Sequence, residues 1–388
     1  MNQYNNLLTI FILLICSTCA QAQSNFSTVI NLPENPNSPN PIGFSGNSIG
    51  DGAEIFTDTQ LNVSNGGSVG DFFNVSGFNR SGNIEVNISG GTVGSEFNSI
   101  RGSTVNISGG TIGDFFSAVE NTINISDGTI GTDFFVQDST VSISGGSLGF
   151  GFEISDNSTT NISGGTVDGF RVAFGSIANI TEGTVGELQV DNSTVNISGG
   201  IVGEFSETFE GTVNLSAGSI GDNFQATEST VNISGGSVGV GFDASDGSTI
   251  NITGGTIGDN FGVSFGGTVN VSGGNIGAGF SATPGSEVNI FGTEFFLNGT
   301  PVEDLILGQT TIISERGENG VLSGLLADGT SFDFELNENI TFPNSGIGPG
   351  ATLTVTLVAA VPEPGSGLTL AMTSILLLSR RRKRVLGS

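Results

Sequence analysis

The chain has 388 residues and a formal charge of −28, and it contains 63 Gly, 29 Phe, no His and no Trp. The lack of His excludes Ser-His-Asp and Cys-His hydrolases, and sites in which imidazole holds zinc or haem. The strong negative charge opposes contact with phosphate backbones, so we predict no binding to nucleic acid. Hydrophobic residues make up 36% of the chain, which argues against disorder.

Residues 1–22 have the pattern of a signal peptide. An apolar core runs from Leu7 to Ile15, and Ala20 and Ala22 follow in the small-x-small spacing that a signal peptidase recognises. We predict cleavage after Ala22. Both Cys of the chain, Cys16 and Cys19, lie in this leader, so no disulfide and no cysteine-ligated metal is expected in the mature protein.

Three features follow one another near the C-terminus. Pro362, Glu363 and Pro364 come first, and a mostly apolar run occupies 367–379. The segment ends in the basic residues Arg380, Arg381, Arg382, Lys383 and Arg384. A helix over the apolar run would extend only about 20 Å, short of the roughly 30 Å hydrocarbon core, which predicts a short and transient membrane anchor. The basic cluster would hold this end on the cytoplasmic side.

The order of Pro-Glu-Pro motif, short apolar helix and basic stop, over about residues 361–384, resembles the PEP-CTERM sorting signal of bacteria with two membranes. The resemblance implies that an exosortase, an integral-membrane cysteine transpeptidase, cuts near the motif. It would then pass the protein to the cell surface or the extracellular matrix. The chain would be a substrate of signal peptidase and exosortase. An ordinary tail anchor is the alternative.

One motif repeats between the two ends. Copies of Val-Asn-Ile-Ser begin at Leu61, recur every 17 to 19 residues after a first gap of 25, and end with the copy at Val288. The consensus Val-Asn-Ile-Ser-Gly-Gly-Thr-Ile-Gly-x-x-Phe alternates apolar and polar residues, as half-buried strands do. So short a period excludes helical-hairpin repeats and predicts a parallel β-helix with three short strands per turn. At about 4.8 Å per turn, roughly thirteen coils would make a rod about 60 Å long.

Two positions of the repeat have predicted structural roles. The second glycine of the Gly-Gly pair would take a left-handed backbone conformation at a corner. One large apolar residue per copy is expected to form a stacked interior column. The predicted members are Phe72, Phe97, Phe116, Phe134, Phe152, Phe170, Leu188, Phe205, Phe224, Phe242, Phe261 and Phe280.

The predicted organisation has five parts: signal peptide 1–22, N-terminal cap and lead-in 23–60, solenoid 61–296, small C-terminal β cap 297–360, and sorting signal 361–384. Within the cap we expect strands at 321–326 and 331–336, on either side of an Ala-Asp-Gly-Thr turn, and at 351–358. The fold class is therefore all-β. We favour the right-handed form, because the left-handed hexapeptide helix keeps a stricter rhythm of six residues.

Regular polar positions offer candidate binding features. An Asn follows the first residue of every copy except the one with Ser142, and we expect these amides to form a hydrogen-bonded ladder. A flat array that binds ice or polysaccharide is the alternative. The last glycine of the consensus, called the turn glycine here, is followed by an aspartate in some copies, as at Asp114, Asp222 and Asp259. The register of these aspartates differs from that of a calcium-roll repeat, so no dedicated calcium site is predicted.

Some β-helices are pectate lyases or glycosidases, which need clustered carboxylates or an Arg base. We expect Arg101 and Arg171 to be isolated, and no long loop interrupts the repeats, so we predict neither enzymatic activity nor a cofactor. We expect an exported structural or adhesive surface protein, with extracellular polysaccharide or a second copy as open partners. A solenoid that binds ice or polysaccharide is the first alternative, and a polysaccharide lyase or hydrolase is the second.

Overall fold

A computed structural model describes residues 26–34, 39–40, 46–76, 83–314, 320–336 and 346–359. Every regular element of these residues is a β-strand, as the repeat predicts. The chain divides into two compact units. Residues 1–196 and 200–203 belong to the first unit, and residues 197–199 and 204–388 belong to the second.

The strands of the first unit are β1 (Thr28–Leu32), β2 (Ser48–Ile49), β3 (Glu54–Phe56), β4 (Thr59–Val63), β5 (Ser68–Val69), β6 (Asn74–Ser76), β7 (Ile84–Val93), β8 (Asn98–Ile100), β9 (Ser103–Ile112), β10 (Ser117–Val119), β11 (Thr122–Ile130), β12 (Phe135–Gln137), β13 (Thr140–Ile143), β14 (Ser147–Leu148), β15 (Phe152–Ser155), β16 (Thr159–Ala173) and β17 (Ile177–Asp191). Strand β18 (Thr194–Val202) contains residues of both units. Those of the second unit are β19 (Glu207–Phe209), β20 (Thr212–Ile220), β21 (Gln225–Thr227), β22 (Thr230–Ile233), β23 (Ser237–Val238), β24 (Asp243–Ser245), β25 (Thr249–Ile257), β26 (Gly262–Val263), β27 (Thr268–Ile276), β28 (Ser281–Ala282), β29 (Glu287–Leu297), β30 (Thr300–Pro301), β31 (Thr310–Ile312), β32 (Gly320–Leu326), β33 (Ser331–Leu336), β34 (Gly346–Ile347) and β35 (Thr352–Leu357).

Successive turns pair in parallel, so equivalent repeat positions lie above one another in each unit. In the first unit, Val105 of β9 lies between Val86 of β7 and Ile123 of β11. Val231 of β22 lies opposite Ile250 of β25 in the second unit. The alignment on Val-Asn-Ile-Ser therefore predicts the strand register correctly. Each unit is a β-solenoid.

One turn of the first unit shows how the sequence forms a coil. Val105 and Ile107 point inward from β9 and are fully buried. The chain then turns at Gly110, whose φ is +82°, and an added Cβ would lie 2.8 Å from the backbone carbon of Gly90 in the preceding turn. Only glycine satisfies both the left-handed backbone and this close approach. The third side of the turn is β10, which follows the buried Phe116.

The corner glycine has a positive φ in every repeat copy that contains it, which confirms the predicted left-handed corner. These residues are Gly66, Gly91, Gly110, Gly128, Gly146, Gly165, Gly183, Gly200, Gly218, Gly236, Gly255 and Gly274.

Stacked phenylalanine rings fill the interior of each unit. In the first unit the column contains Phe73, Phe97, Phe116, Phe134, Phe152 and Phe170, with neighbouring ring centroids 4.5 to 5.4 Å apart. The column of the second unit contains Phe224, Phe242, Phe261 and Phe280, with centroids 4.7 to 5.2 Å apart. These separations match the spacing of about 4.8 Å between paired strands. The rings therefore stack because the turns that carry them stack.

The predicted column was wrong at two positions. Phe72 and Phe205 are exposed, and Phe73 and Ser206 occupy the interior instead. In both copies the interior residue is the third after the turn glycine, so the adjacent Phe is one residue out of phase. Leu188 is buried, as predicted.

A side chain occupies the outer edge of β1 in the first unit. The Asn40 amide donates a hydrogen bond to the carbonyl of Asn31 and accepts one from its N–H, both at 2.7 Å. The Glu34 carboxylate in turn accepts the N–H groups of Asn40 and Gly46. On its inner edge β1 pairs in parallel with β4. The Asn40 side chain therefore takes the place of a neighbouring strand at this residue.

The C-terminal strands of the second unit add a further layer of pairing. Strands β34 and β35 pair in parallel with β28 and β29, and β31 covers β35 in antiparallel fashion. The hairpin β32–β33 forms where the Ala-Asp-Gly-Thr turn predicts it. Its Phe334 ring lies 5.1 Å from that of Phe280, at the end of the aromatic column.

We expect Phe116→Ala to destabilise the protein by about 3–5 kcal/mol, because it removes a buried ring that stacks on both Phe97 and Phe134. Phe115→Ala is the matched control, since the Phe115 side chain is 55% exposed. Urea unfolding followed by far-UV circular dichroism measures both changes. Equal losses for the two variants would contradict the interior column.

Candidate functional site

The residues predicted to direct export lie outside the described part of the chain. They are Ala20, Ala22, Pro362, Glu363, Pro364, Arg380, Arg381, Arg382, Lys383 and Arg384. No helix that could span a bilayer is present within the described ranges. Two features of those ranges remain as candidates for a functional site: a row of asparagines and a cleft.

Asparagine amides form the predicted ladder along the first side of the turns. The Nδ2 of each Asn donates to the Oδ1 of the Asn one turn earlier, at 2.8 to 3.0 Å. The first unit contains the rows Asn31, Asn62, Asn87, Asn106, Asn124 and Asn161, Asn179, Asn196, and the second unit contains Asn214, Asn232, Asn251, Asn270, Asn289.

The ladder is a stabilising device of the solenoid. An inner member such as Asn106 uses an N–H toward Asn87 and its Oδ1 toward Asn124. Ser142 lies in register between Asn124 and Asn161 and interrupts the row in the first unit. Because the amides bond mainly to one another, the row resembles the Asn ladders of other stacked strands more than an array of free ligand-binding groups.

One substitution within a row and one at its interruption test the ladder. Asn106→Ala removes two amide hydrogen bonds, and we expect a loss of about 1–2 kcal/mol in the free energy of unfolding. Ser142→Asn should join the two rows of the first unit and increase the free energy of unfolding by about 1 kcal/mol. Urea denaturation measures both variants. A loss of stability in Ser142→Asn as large as that in Asn106→Ala would refute the ladder as a stabilising element.

The aspartates considered for calcium close the corners between turns. The Oδ1 of Asp114 accepts the N–H of Thr132 one turn later at 2.8 Å, and Asp222 and Asp259 make the equivalent bond. A Cβ on Gly131 would collide with the same Oδ1, which explains the turn glycine that pairs with each of these aspartates. Across the described ranges, no group of three or more carboxylates is placed to hold a metal ion.

A cleft opens on the third side of the first unit, where two turns are shortened. In most turns, three residues separate the last buried residue of the second side from the first buried residue of the third side. Asp168-Gly169 and Gly186-Glu187 provide only two. The strands β16 and β17 consequently run through this corner without a break. The missing residues leave a cleft of about 160 Å³.

The cleft has an aromatic wall and a polar lining. The Phe150 side chain is 61% exposed. Its ring lies against Gly169, where an added Cβ would be 2.6 Å from the ring carbon Cδ2. The polar side chains that line the cleft are Asp133, Glu153, Arg171, Glu187 and Gln189.

Arg171 is fixed at the centre of this lining. Its Nη1 donates to Glu153 Oε1 at 3.2 Å, and its Nη2 donates to Asp191 Oδ2 at 2.8 Å. The guanidinium carbon lies 5.8 Å from the ring centroid of Phe174, within cation–π range. Partial burial acts to lower the pKa of Arg171, but the charge of Glu153 and the hydrogen bonds to both carboxylates outweigh it, so the pKa is raised.

The prediction that Arg171 is isolated was therefore wrong. Parallel register places Glu153, Arg171 and Gln189 directly above one another, although they are 18 residues apart in the chain. A search for opposite charges one repeat apart would have found the Glu153 pair. The sequence indicates the cleft more weakly, through the loss of one residue from each of two successive turns.

The arrangement suits recognition of a polar ligand. Two of the five N–H donors of Arg171 are used in its ion pairs, and Glu187 accepts a hydrogen bond from Gln189 at 2.8 Å. The cleft thus places donors and acceptors beside an exposed ring. Burial, with a contribution from Asp246, raises the pKa of Asp243, but this carboxyl lies on β24 of the second unit and adds no general acid to the cleft.

Comparisons of the chain with protein-family models, curated proteins and solved structures found no match. The resemblance to a sorting signal therefore rests on the C-terminal motif, and the solenoid fold rests on the strand register.

Proposed function

We propose that this chain is an exported bacterial surface protein whose solenoid body has a structural or adhesive role. The observation that carries the proposal is the order of Pro362-Glu363-Pro364, the apolar run 367–379 and the basic cluster 380–384. This order resembles a PEP-CTERM signal. Signal peptidase would cut after Ala22, and the short helix would hold the chain in the inner membrane until an exosortase cuts near Pro-Glu-Pro. The mature protein would then reach the cell surface or the matrix.

The internal bonding of the solenoid supports a structural role. Stacked Phe rings inside the solenoid and hydrogen-bonded Asn amides along its first side join one turn to the next. A protein built this way can serve as a rigid spacer between the surface and its surroundings. We further propose right-handed winding and a closing β cap at 297–360, ahead of the sorting tail. Extracellular polysaccharide and a second copy of the chain are the partners consistent with this location.

Replacing Pro362, Glu363 and Pro364 by Ala tests the sorting signal. In the native host we expect the unaltered surface form to lack Arg380 to Arg384 by intact mass, because processing removes the tail. The triple variant should retain these residues and stay in the membrane fraction. Pro301→Ala, in the exposed strand β30, is the control and should be processed normally. An unaltered surface protein that still carries the basic cluster would defeat the proposal.

A further inference from the structure

We propose that the cleft between Phe150 and Arg171 is a binding site for a neutral saccharide. Phe150, Gly169 and Arg171 lie in adjacent turns of the first unit, at the corner that is shortened by one residue. The proposal is independent of the export route, because it rests only on residues within this unit.

The Phe150 ring provides the apolar contact. It is more than half exposed, although it is held against the backbone at Gly169. A large exposed apolar side chain beside convergent polar groups is the usual composition of a small-ligand site. The C–H face of a pyranose ring can pack on such an aromatic surface while its hydroxyls remain free to form hydrogen bonds.

The polar side chains match the hydroxyl groups of a saccharide. A hydroxyl both donates and accepts hydrogen bonds. The remaining N–H groups of Arg171 can donate to it, and the carboxylates of Glu153 and Glu187 can accept from it. Ion pairs to Glu153 and Asp191 hold the guanidinium in place before a ligand arrives, which lowers the entropy cost of binding.

Charge and size exclude other ligand classes. The cleft holds three carboxylates, Asp133, Glu153 and Glu187, against the one guanidinium of Arg171, so an anionic ligand would be repelled. A cation placed at the centre would meet the guanidinium instead. The cleft volume of about 160 Å³ is smaller than the roughly 300–1,000 Å³ that encloses a drug-sized ligand. It suits one ring of a longer neutral chain that continues beyond the cleft.

Calorimetric titration and saturation-transfer NMR of the purified protein test the site. The neutral probes are cellohexaose, mannohexaose and maltohexaose, and an oligomannuronate of equal length is the acidic probe. Phe150→Ala removes the ring, and Phe265→Ala is its matched control because Phe265 is 75% exposed and is not among the residues that line the cleft. Arg171→Gln removes the guanidinium, and Arg101→Gln is the matched control at an exposed arginine outside the cleft.

We expect at least one neutral probe to bind, with saturation transferred from phenylalanine protons. Phe150→Ala and Arg171→Gln should each raise Kd by about threefold to tenfold, whereas both control variants should bind as the unaltered protein does. Far-UV circular dichroism shows whether each variant retains its strands. Three results would each overturn the proposal: no binding of any neutral probe, binding of the acidic probe alone, or equal losses in the cleft variants and the controls.

Discussion

In-register parallel pairing between successive turns is the interaction on which the other features depend. Because each residue lies over its equivalent one repeat later, a residue type kept in every copy becomes a continuous row. The strand spacing of about 4.8 Å suits both ring stacking and amide-to-amide hydrogen bonds. Phe116 and Asn106 therefore stabilise the fold through contacts with the equivalent residues of adjacent turns. A slip of one residue would move every interior side chain to the outer face.

The corners explain why glycine and aspartate recur with the strands. The second glycine of each pair has a left-handed backbone that passes close to the turn before it, as at Gly110. Where Asp114 and its equivalents occur, the carboxylate accepts an N–H from the next turn, and the residue just before that N–H has to be a glycine to leave room for the carboxylate. Part of the negative charge thus has a structural use.

Most of the solenoid could be predicted from the sequence, since period, alternation and corner glycines are all local signals. Exact phase was harder, because Phe72 and Phe73 are equally apolar and only the count from the turn glycine selects the inner one. At Ser206 the interior residue is small, so the pattern pointed to the neighbouring Phe205. Contacts between outward side chains, such as those of Arg171, depend on neighbours one turn away. Those neighbours are adjacent in space but lie about one repeat apart in the sequence.

The amide of Asn40 has a consequence for how molecules of this protein meet. A strand that joined the outer edge of β1 would need the N–H and carbonyl of Asn31, and both are already bonded within the same molecule. Glu34 holds this amide in place through the backbone. A strand from a second copy could therefore pair with β1 at Asn31 only after this amide is displaced.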